Sequence, residues 1–242
     1  MTLQRERGTT LIEMLISLTI FVLIILGGLD FFASSRRLFF RMEAVQDEAE
    51  RAFAALDRAR LDAREAGRGL SGPLRLGLLQ GIVVRDDTAT FLSADTETVP
   101  TSDIPAGASF LPMAVPEGFA TGREVCVFDR AHGEIRVISS VDQAGIGFAV
   151  SLTGGYHRED TVVILLRKVF LFWDGESLVL KRKINASSPQ PLVEDLAEFH
   201  CRLESIPDVL KMGIRLRTVP ENEYAATIFL KNMALARTTG AP

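Results

Sequence analysis

The chain has 242 residues, of which 47% are hydrophobic and 24% are charged, and its formal net charge is −4. That length supports one or two domains with a buried core, and the composition is that of an ordinary globular protein. The acidic balance argues against nucleic acid as a partner. The two cysteines exclude a disulfide-rich scaffold and a cysteine-rich zinc site.

The N-terminal segment departs from this average composition. A polar, basic stretch at 1–8 precedes an almost wholly apolar stretch at 9–29, in which the only charge is Glu13. The apolar stretch matches the roughly 20 residues that a helix needs to cross the hydrocarbon core of a bilayer. A secretory signal peptide, a plain single-pass anchor and a span whose charge has a partner are the three interpretations.

Glu13 separates these interpretations, because a carboxylate in a membrane helix costs about 2.5–3.5 kcal/mol on insertion scales. A signal peptide would have a small-residue cleavage site after its apolar core, and the sequence FFAS at 31–34 fits one poorly. A plain anchor leaves the carboxylate unexplained. If the chain is cut after Gly8, Thr9 gains an amine four residues from Glu13, and neighbouring copies of the helix can neutralise both charges. We therefore favour a span whose charge has a partner.

The sequence GTTLIE at 8–13 resembles the class III signal of type IV prepilins and pseudopilins. The resemblance implies that a prepilin peptidase cuts after Gly8, that Thr9 becomes the N-methylated terminus, and that Glu13 docks neighbouring subunits. The remaining signal positions are Thr10, Leu11 and Ile12. Thr9 stands where the family usually has phenylalanine, a departure that bears on methylation more than on cleavage.

The helical pattern continues beyond the apolar stretch, and no proline occurs before residue 73. Apolar residues recur at alternating spacings of three and four, which predicts an amphipathic helix. This stripe consists of Leu38, Met42, Val45, Ala49, Ala52, Leu56, Ala59 and Ala63. The charged faces carry Arg51, Asp57, Arg58, Arg60, Asp62 and Arg64.

Gly67 and Gly69 predict the end of this helix, which would run from about 9 to 66 and be about 85 Å long. We expect its later part to pack on the protein's own sheet, with a two-chain coiled coil as the alternative. Gly27 and Gly28 are a predicted weak point within it.

The rest of the chain has strand patterns separated by turn residues. The predicted strands are 81–85, 90–93, 124–128, 134–140, 147–152, 161–173, 177–184, 196–204, 212–218 and 224–235, with mostly loop at 94–122. The strands between 124 and 152 predict a small additional antiparallel subdomain.

We therefore predict a pilin-like α+β fold, in which a long helix packs on an antiparallel β-sheet head. Its parts are a leader (1–8), a transmembrane half of the helix (9–29), an extracytoplasmic amphipathic half (30–66), a β-rich head subdomain (67–165) and a C-terminal antiparallel sheet (166–242).

The sequence predicts no catalytic site, cofactor or metal site. His132, His157 and His200 lack the spacing of metal ligands, and the acidic residues Asp86, Asp87, Asp95, Glu97 and Asp103 fit no EF-hand and are predicted to lie in a solvated loop. We expect Cys126 and Cys201 to be buried, unpaired thiols within strands, with a disulfide as the alternative.

Within the pilin family the chain looks most like the larger minor subunits of the PilW/GspJ type, through SSRR at 34–37, PLVED at 191–195 and FLKN at 229–232. The resemblance implies a structural subunit, not an enzyme, that primes or lies near the tip of a type IV pilus. Type II secretion and DNA-uptake pseudopilins are the alternatives within the family. A membrane-tethered periplasmic enzyme or binding module is the alternative of another class.

The implied partners are other minor pilins or pseudopilins, the major pilin, the prepilin peptidase and an inner-membrane assembly platform. The resemblance also implies a single pass through the inner membrane, with the head in the periplasm until the subunit joins a periplasmic or cell-surface filament.

Overall fold

Residues 10–86, 88–205, 208–218 and 221–238 are described by a computed structural model of the chain. The chain divides into two compact units, the N-terminal unit (Met1–Ala49) and the head (Glu50–Pro242). Helix α1 (Leu11–Glu65) begins in the first unit and ends in the second. The predicted helix, from about 9 to 66, agrees with α1 to within one residue at its end and two at its start, and Thr9 lies outside the described residues.

The first part of α1 is a helix whose side chains are all exposed as far as residue 47. Leucine, isoleucine and methionine dominate its first turns, and leucine and methionine have high helix propensity. The helix passes through Gly27 and Gly28 without a break, because no proline or inserted group interrupts its hydrogen-bond ladder.

The head adds two short helices and a set of strands to the last turns of α1. The helices are α2 (Ser71–Arg75) and α3 (Lys231–Thr238). The strands are β1 (Ile82–Arg85), β2 (Thr88–Thr98), β3 (Phe110–Pro112), β4 (Glu124–Phe128), β5 (Gly133–Asp142), β6 (Gly145–Phe148), β7 (Val162–Asp174), β8 (Val179–Ile184), β9 (Gln190–Val193), β10 (Leu196–Ser205), β11 (Asp208–Leu216) and β12 (Glu223–Phe229).

The strands form two antiparallel sheets. A nine-stranded sheet has the order β1-β2-β7-β4-β5-β6-β3, and β8 pairs with both β7 and β9. A three-stranded sheet has the order β10-β11-β12. The predicted α+β layout is thus confirmed, with a long apolar helix followed by antiparallel sheet. The two sheets divide after β9, whereas residue 165, the predicted boundary, lies inside β7.

Strand β7 is the centre of the larger sheet, because it pairs with β2, β4 and β8. Its side chains alternate between two buried clusters. Val163 and Leu165 belong to a cluster with residues of β3, β5 and β6, whereas Ile164 and Leu166 pack with Cys126 under α2. Burial on both faces explains why this strand has a continuous apolar run in the sequence.

Several predicted elements need correction. The segment 94–122 is mostly loop, as predicted, but β2 continues into it as far as Thr98, and β3 also lies within it. The strands between 124 and 152 do not form a separate subdomain, because β4 pairs with β7 within the nine-stranded sheet. The last predicted strand, 224–235, ends at Phe229, and α3 follows because Met233, Ala234 and Leu235 favour helix over strand.

Three further boundaries differ from prediction. The structure places β6 at Gly145–Phe148, β8 at Val179–Ile184 and β11 at Asp208–Leu216, where the predicted strands were 147–152, 177–184 and 212–218. Turn residues lie inside the predicted ranges, since Leu178 adopts a positive φ of 56° just before β8. Backbone bends at 149–150 and 217–218 likewise end β6 and β11 earlier than predicted.

Candidate functional site

Thr10 and Glu13 form a reciprocal capping arrangement at the start of α1. The Thr10 backbone N–H donates to Glu13 Oε2 at 2.9 Å, and the Glu13 backbone N–H donates to Thr10 Oγ1 at 3.3 Å. The first helical hydrogen bond follows, from the Met14 N–H to the Thr10 carbonyl at 3.2 Å. This is a capping box, in which two donors at the helix start are satisfied by the side chains of the first turn.

The capping box gives Glu13 a role within its own chain. Its negative charge lies in the first turn, where it interacts favourably with the positive end of the helix dipole. One hydrogen bond leaves most of the acceptor capacity of a carboxylate unused, since its two oxygens offer about four lone-pair sites. Glu13 is exposed, so the carboxylate can accept a further donor from outside the chain.

The side chains around Glu13 are apolar and exposed. Leu11 is 79% exposed and Ile12 is 68% exposed, and large apolar residues continue on every face of the helix as far as Leu29. By length and composition, α1 is long and apolar enough to cross a membrane, and none of its most apolar window is buried. A signal sequence near the N-terminus passes the same criterion.

The two residues on which processing was predicted, Gly8 and Thr9, lie outside the described residues. The other predicted site residues, from Thr10 to Glu13, lie together in the first turn of α1. The structure therefore brings together the part of the motif that starts the helix.

The apolar stripe of α1 divides into an exposed part and a buried part. Leu38 and Met42 are 60% and 65% exposed. In the head, by contrast, Ala52, Leu56, Ala59 and Ala63 are at most 4% exposed. The expectation that the later part packs on the protein's own sheets is confirmed for these turns. Small alanines allow the helix to approach the strands closely.

A buried ion pair fixes the last turns of α1 to the larger sheet. Arg182 on β8 donates from Nε to Asp62 Oδ2 at 2.5 Å and from Nη2 to Asp62 Oδ1 at 2.8 Å. Both side chains are at most 5% exposed, and Arg167 on β7 approaches Asp62 Oδ1 at 3.6 Å. The hydrogen bonds to Asp62 raise the pKa of Arg182, which keeps the guanidinium charged.

The sequence analysis placed Asp62 with the charged faces of the helix, apart from the apolar stripe, whereas the structure buries its side chain. A signal was present, because Ala55, Ala59, Asp62 and Ala66 recur at spacings of four, three and four on the buried face. The partner Arg182 lies far along the chain on another element, so no local spacing indicates the pair.

Glu134 is a second buried carboxylate that the sequence analysis missed. It accepts hydrogen bonds from the Thr153 N–H at 3.0 Å, the Gly154 N–H at 2.8 Å and the Tyr156 hydroxyl at 3.0 Å, and it pairs with Arg136. Desolvation on burial raises the pKa of Glu134, but the donors outweigh it and lower the pKa to about 2. The carboxylate thereby holds the loop between β6 and β7.

The histidines lie beside single carboxylates. His132 Nδ1 is 3.0 Å from Asp129 Oδ2, and its ring stacks on Tyr156 with the centroids 4.7 Å apart. His157 and His200 each lie near one carboxylate, at 3.7 and 3.3 Å. Among the described residues, no three histidine, cysteine or acidic side chains are grouped to hold a metal ion.

The predicted acidic loop is not one loop. Asp95 and Glu97 are exposed on β2, Asp95 pairs with Arg123 at 2.8 Å, and Asp103 accepts from the Arg158 N–H at 2.8 Å. Asp86 lies in a turn after β1, and Asp87 lies outside the described residues.

The two cysteines are unpaired and lie in strands of different sheets. Cys126 on β4 is buried and Cys201 on β10 is partly buried. Burial raises the pKa of each thiol to about 12. The expectation of unpaired thiols within strands is confirmed, and the disulfide alternative is not observed.

No family model, no curated protein and no solved structure matches the chain. The fold and the helix start define the class coarsely, as an α+β protein with one candidate membrane span among its described residues, near the N-terminus. Any finer assignment depends on the chemistry of individual residues.

Proposed function

We propose that the protein is a minor pilin or pseudopilin, a structural subunit that primes assembly of a type IV pilus or related filament, or lies at or near its tip. The helix start would sit in the inner membrane, with the head in the periplasm, before the subunit joins the filament. Type II secretion and DNA-uptake filaments are alternatives within the same proposal. Its partners would be other minor subunits, the major pilin, the prepilin peptidase and the inner-membrane assembly platform.

The observation that carries the proposal is the position of Glu13. Its carboxylate lies in the first turn of a helix whose surroundings are apolar and exposed, and its one hydrogen bond within the described residues leaves it able to accept more. In a membrane this charge is unfavourable unless a cation neutralises it. A chain cut after Gly8 would supply such a cation, as the amine of Thr9 on an adjoining subunit.

The coarse architecture also fits the proposal. Exposed apolar residues make the first part of α1 suited to lipid or to other helices, while its last turns are fixed to the head by buried alanines and by Asp62. A filament subunit needs both properties, because its helix packs among neighbours and its head is displayed outside.

Substitutions at Glu13 test the proposal. Glu13→Gln keeps a side chain that can complete a capping box but removes the charge, whereas Glu13→Leu removes both. We expect both variants to insert in the membrane and to enter filaments at least about tenfold less than the wild type, because neither can neutralise a partner's amine. The measurement is immunoblotting of sheared filaments and membranes from the native host, with Ser17→Leu as a control for a changed polar residue in the same span.

The outcomes are distinct. Normal assembly of Glu13→Gln would mean that capping, and not charge, is what the residue supplies. Normal assembly of both variants, together with a mature chain that still begins at Met1 by mass spectrometry, would overturn the proposal. A membrane-tethered enzyme or binding module would then be favoured, and a fragment of residues 30–242 should retain its full activity.

A further inference from the structure

A groove on the head lies where the last turns of α1, the end of β12 and the start of α3 meet. Its volume is about 370 Å³, and the strand residues that line it are Thr227, Ile228 and Phe229. Three cationic side chains, Arg60, Arg64 and Lys231, also line it. The groove is thus lined by strand residues, by positive charge and by Asn232.

These cations are poorly neutralised by the protein itself. Arg60 is 3.6 Å from Asp57, but both side chains are largely exposed, so the pair contributes little. Arg64 and Lys231 form no ion pair with any of the described residues. The three cations line one groove, and their mutual repulsion would be relieved by a bound anion.

The strand that lines the groove has an open edge. Within the described residues, β12 pairs with β11 on one side only, and the pairing has no register shift. Its seven residues include no proline, and Phe229 at its end is 55% exposed. A regular edge strand presents unpaired backbone N–H and C=O groups, which another extended chain can satisfy.

We propose that this groove binds an extended acidic peptide segment of a partner protein, which adds to the outer edge of β12. Carboxylates of the segment would pair with Arg60, Arg64 and Lys231, and an apolar side chain would contact Phe229. A peptide suits the site better than a lipid headgroup, because only a peptide backbone satisfies the alternating donors and acceptors of a strand edge. The proposal does not depend on the filament function.

The alternative to peptide binding is a simpler role for the three cations. Charged side chains beside an edge strand commonly prevent pairing with other chains. In that case strand addition would be blocked, and an acidic peptide would bind no better through its backbone than a disordered polyanion of equal charge.

Peptide binding by the full-length chain in detergent micelles tests the proposal. The probe is a fluorescent seven-residue peptide of alternating glutamate and valine, the length of β12, measured by anisotropy at low salt. We expect a Kd of about 10–100 µM, typical of short peptides that gain a few hydrogen bonds and ion pairs. The same peptide N-methylated at every residue should bind at least about tenfold more weakly, because neither of its edges can then pair as a strand.

Charge reversal locates the site. Arg64→Glu and Lys231→Glu should each raise the Kd at least about tenfold, since they place a carboxylate against the acidic peptide. Arg58→Glu, which changes an exposed arginine on the same helix outside the groove, should change the Kd by no more than about twofold. Circular dichroism identifies any variant that fails to fold, and two groove variants provide independent readings.

Three results would overturn the proposal. Equal weakening by Arg58→Glu and Arg64→Glu would mean that the peptide reads overall charge and not the groove. Equal binding of the peptide N-methylated at every residue would exclude strand addition. If the protein binds vesicles of anionic phospholipid through Arg64 and does not bind the peptide, the cations serve to contact a lipid surface.

Discussion

Glu134 shows how one buried carboxylate can organise a loop. Its oxygens accept hydrogen bonds from backbone and side-chain donors on a segment that joins β6 to β7. Because the ionised form makes these bonds, its pKa falls to about 2 from an ordinary value of 4.5. A carboxyl whose pKa is lower in the folded state stabilises the fold above its unfolded pKa and loses that contribution as the pH falls.

We therefore predict a pH-dependent contribution from Glu134 that is complete above about pH 5 and is lost between about pH 4.5 and pH 2. The lowered pKa corresponds to about 3 kcal/mol, at about 1.4 kcal/mol for each pKa unit. Glu134→Gln should be less stable at pH 7 by about 1–3 kcal/mol, because an amide NH₂ would face donors. The wild type and variant should converge as the pH falls, measured by urea unfolding of the full-length chain followed by Trp173 fluorescence.

Parallel pH profiles for the two proteins would contradict this prediction. They would mean that Glu134 keeps its ordinary pKa in the folded state and that its hydrogen bonds contribute equally in both protonation states.

Residues whose interaction partners lie nearby in the sequence were easier to predict than residues whose partners are distant. Glu13 stands out because it is the only charge in an apolar stretch, and its capping partner Thr10 is three residues away. Glu134 and Asp62 have no such contrast, since most of their partners are distant in the chain, in the loop between β6 and β7 for Glu134 and on β8 for Asp62. The unusual environment of each carboxylate exists only after the strands have paired.

At the level of elements, apolar packing and an ion pair both fix the last turns of α1 to the head. Alanines allow close packing, and Asp62 with Arg182 makes a paired, two-point contact with β8. Phe53 on the same helix packs edge-on against Tyr224 of β12, with ring centroids 5.5 Å apart. The helix end therefore contacts both sheets of the head.

Removal of Asp62 should strongly destabilise the head. Asp62→Ala leaves the guanidinium of Arg182 buried without its main partner, and we expect a loss of about 3–5 kcal/mol in the free energy of unfolding. The double variant Asp62→Leu with Arg182→Met should recover most of that loss, because the two fully buried charges are removed together and Arg167, which is partly exposed, still lies 4.0 Å from Glu65. Urea unfolding measures both.

A matched control is Asp57→Ala, which removes the carboxylate of an exposed pair with Arg60 and should change stability by no more than about 0.5 kcal/mol. If Asp62→Ala also costs less than about 1 kcal/mol, water reaches Arg182 and the pair does not fix the helix.

The elements themselves were predicted unevenly, for physical reasons. The long helix and the central strand have strong patterns, namely an uninterrupted periodicity and a continuous apolar run. Strand β2 was predicted too short because Asp95 and Glu97 on its exposed side resemble loop residues. Helix α3 was missed because the apolar residues of β12 continue directly into this short helix. The sequence pattern does not mark where the strand ends and the helix begins, and only tertiary packing decides it.

At the scale of the whole molecule, the head is one compact unit with two sheets. Each sheet carries one cysteine, Cys126 in the larger and Cys201 in the smaller. Since α1 contacts both sheets through Asp62 and Phe53, the loss of either sheet would remove contacts that the other requires. The two sheets should therefore unfold together.

Thiol labelling tests this cooperativity. Both cysteines should react slowly with iodoacetamide in the native protein, because burial raises the pKa of each thiol to about 12. With increasing urea, the two should become reactive at midpoints that agree within about 0.3 M, measured by mass spectrometry of each cysteine peptide. Clearly separate midpoints would show that the sheets unfold independently and that the helix does not couple them.

The capping box has a further consequence for proteolytic maturation. Every bond that begins α1 uses atoms at or after the N–H of Thr10, and that nitrogen belongs to the peptide bond with Thr9. Hydrolysis after Gly8 would leave this peptide bond intact. Maturation would then remove the basic leader, with Arg5 and Arg7, and expose a new amine on Thr9 near Glu13. The hydrogen bonds from Thr10 to Glu13 and back would persist, so the local charge would change while the start of the helix stays as it is.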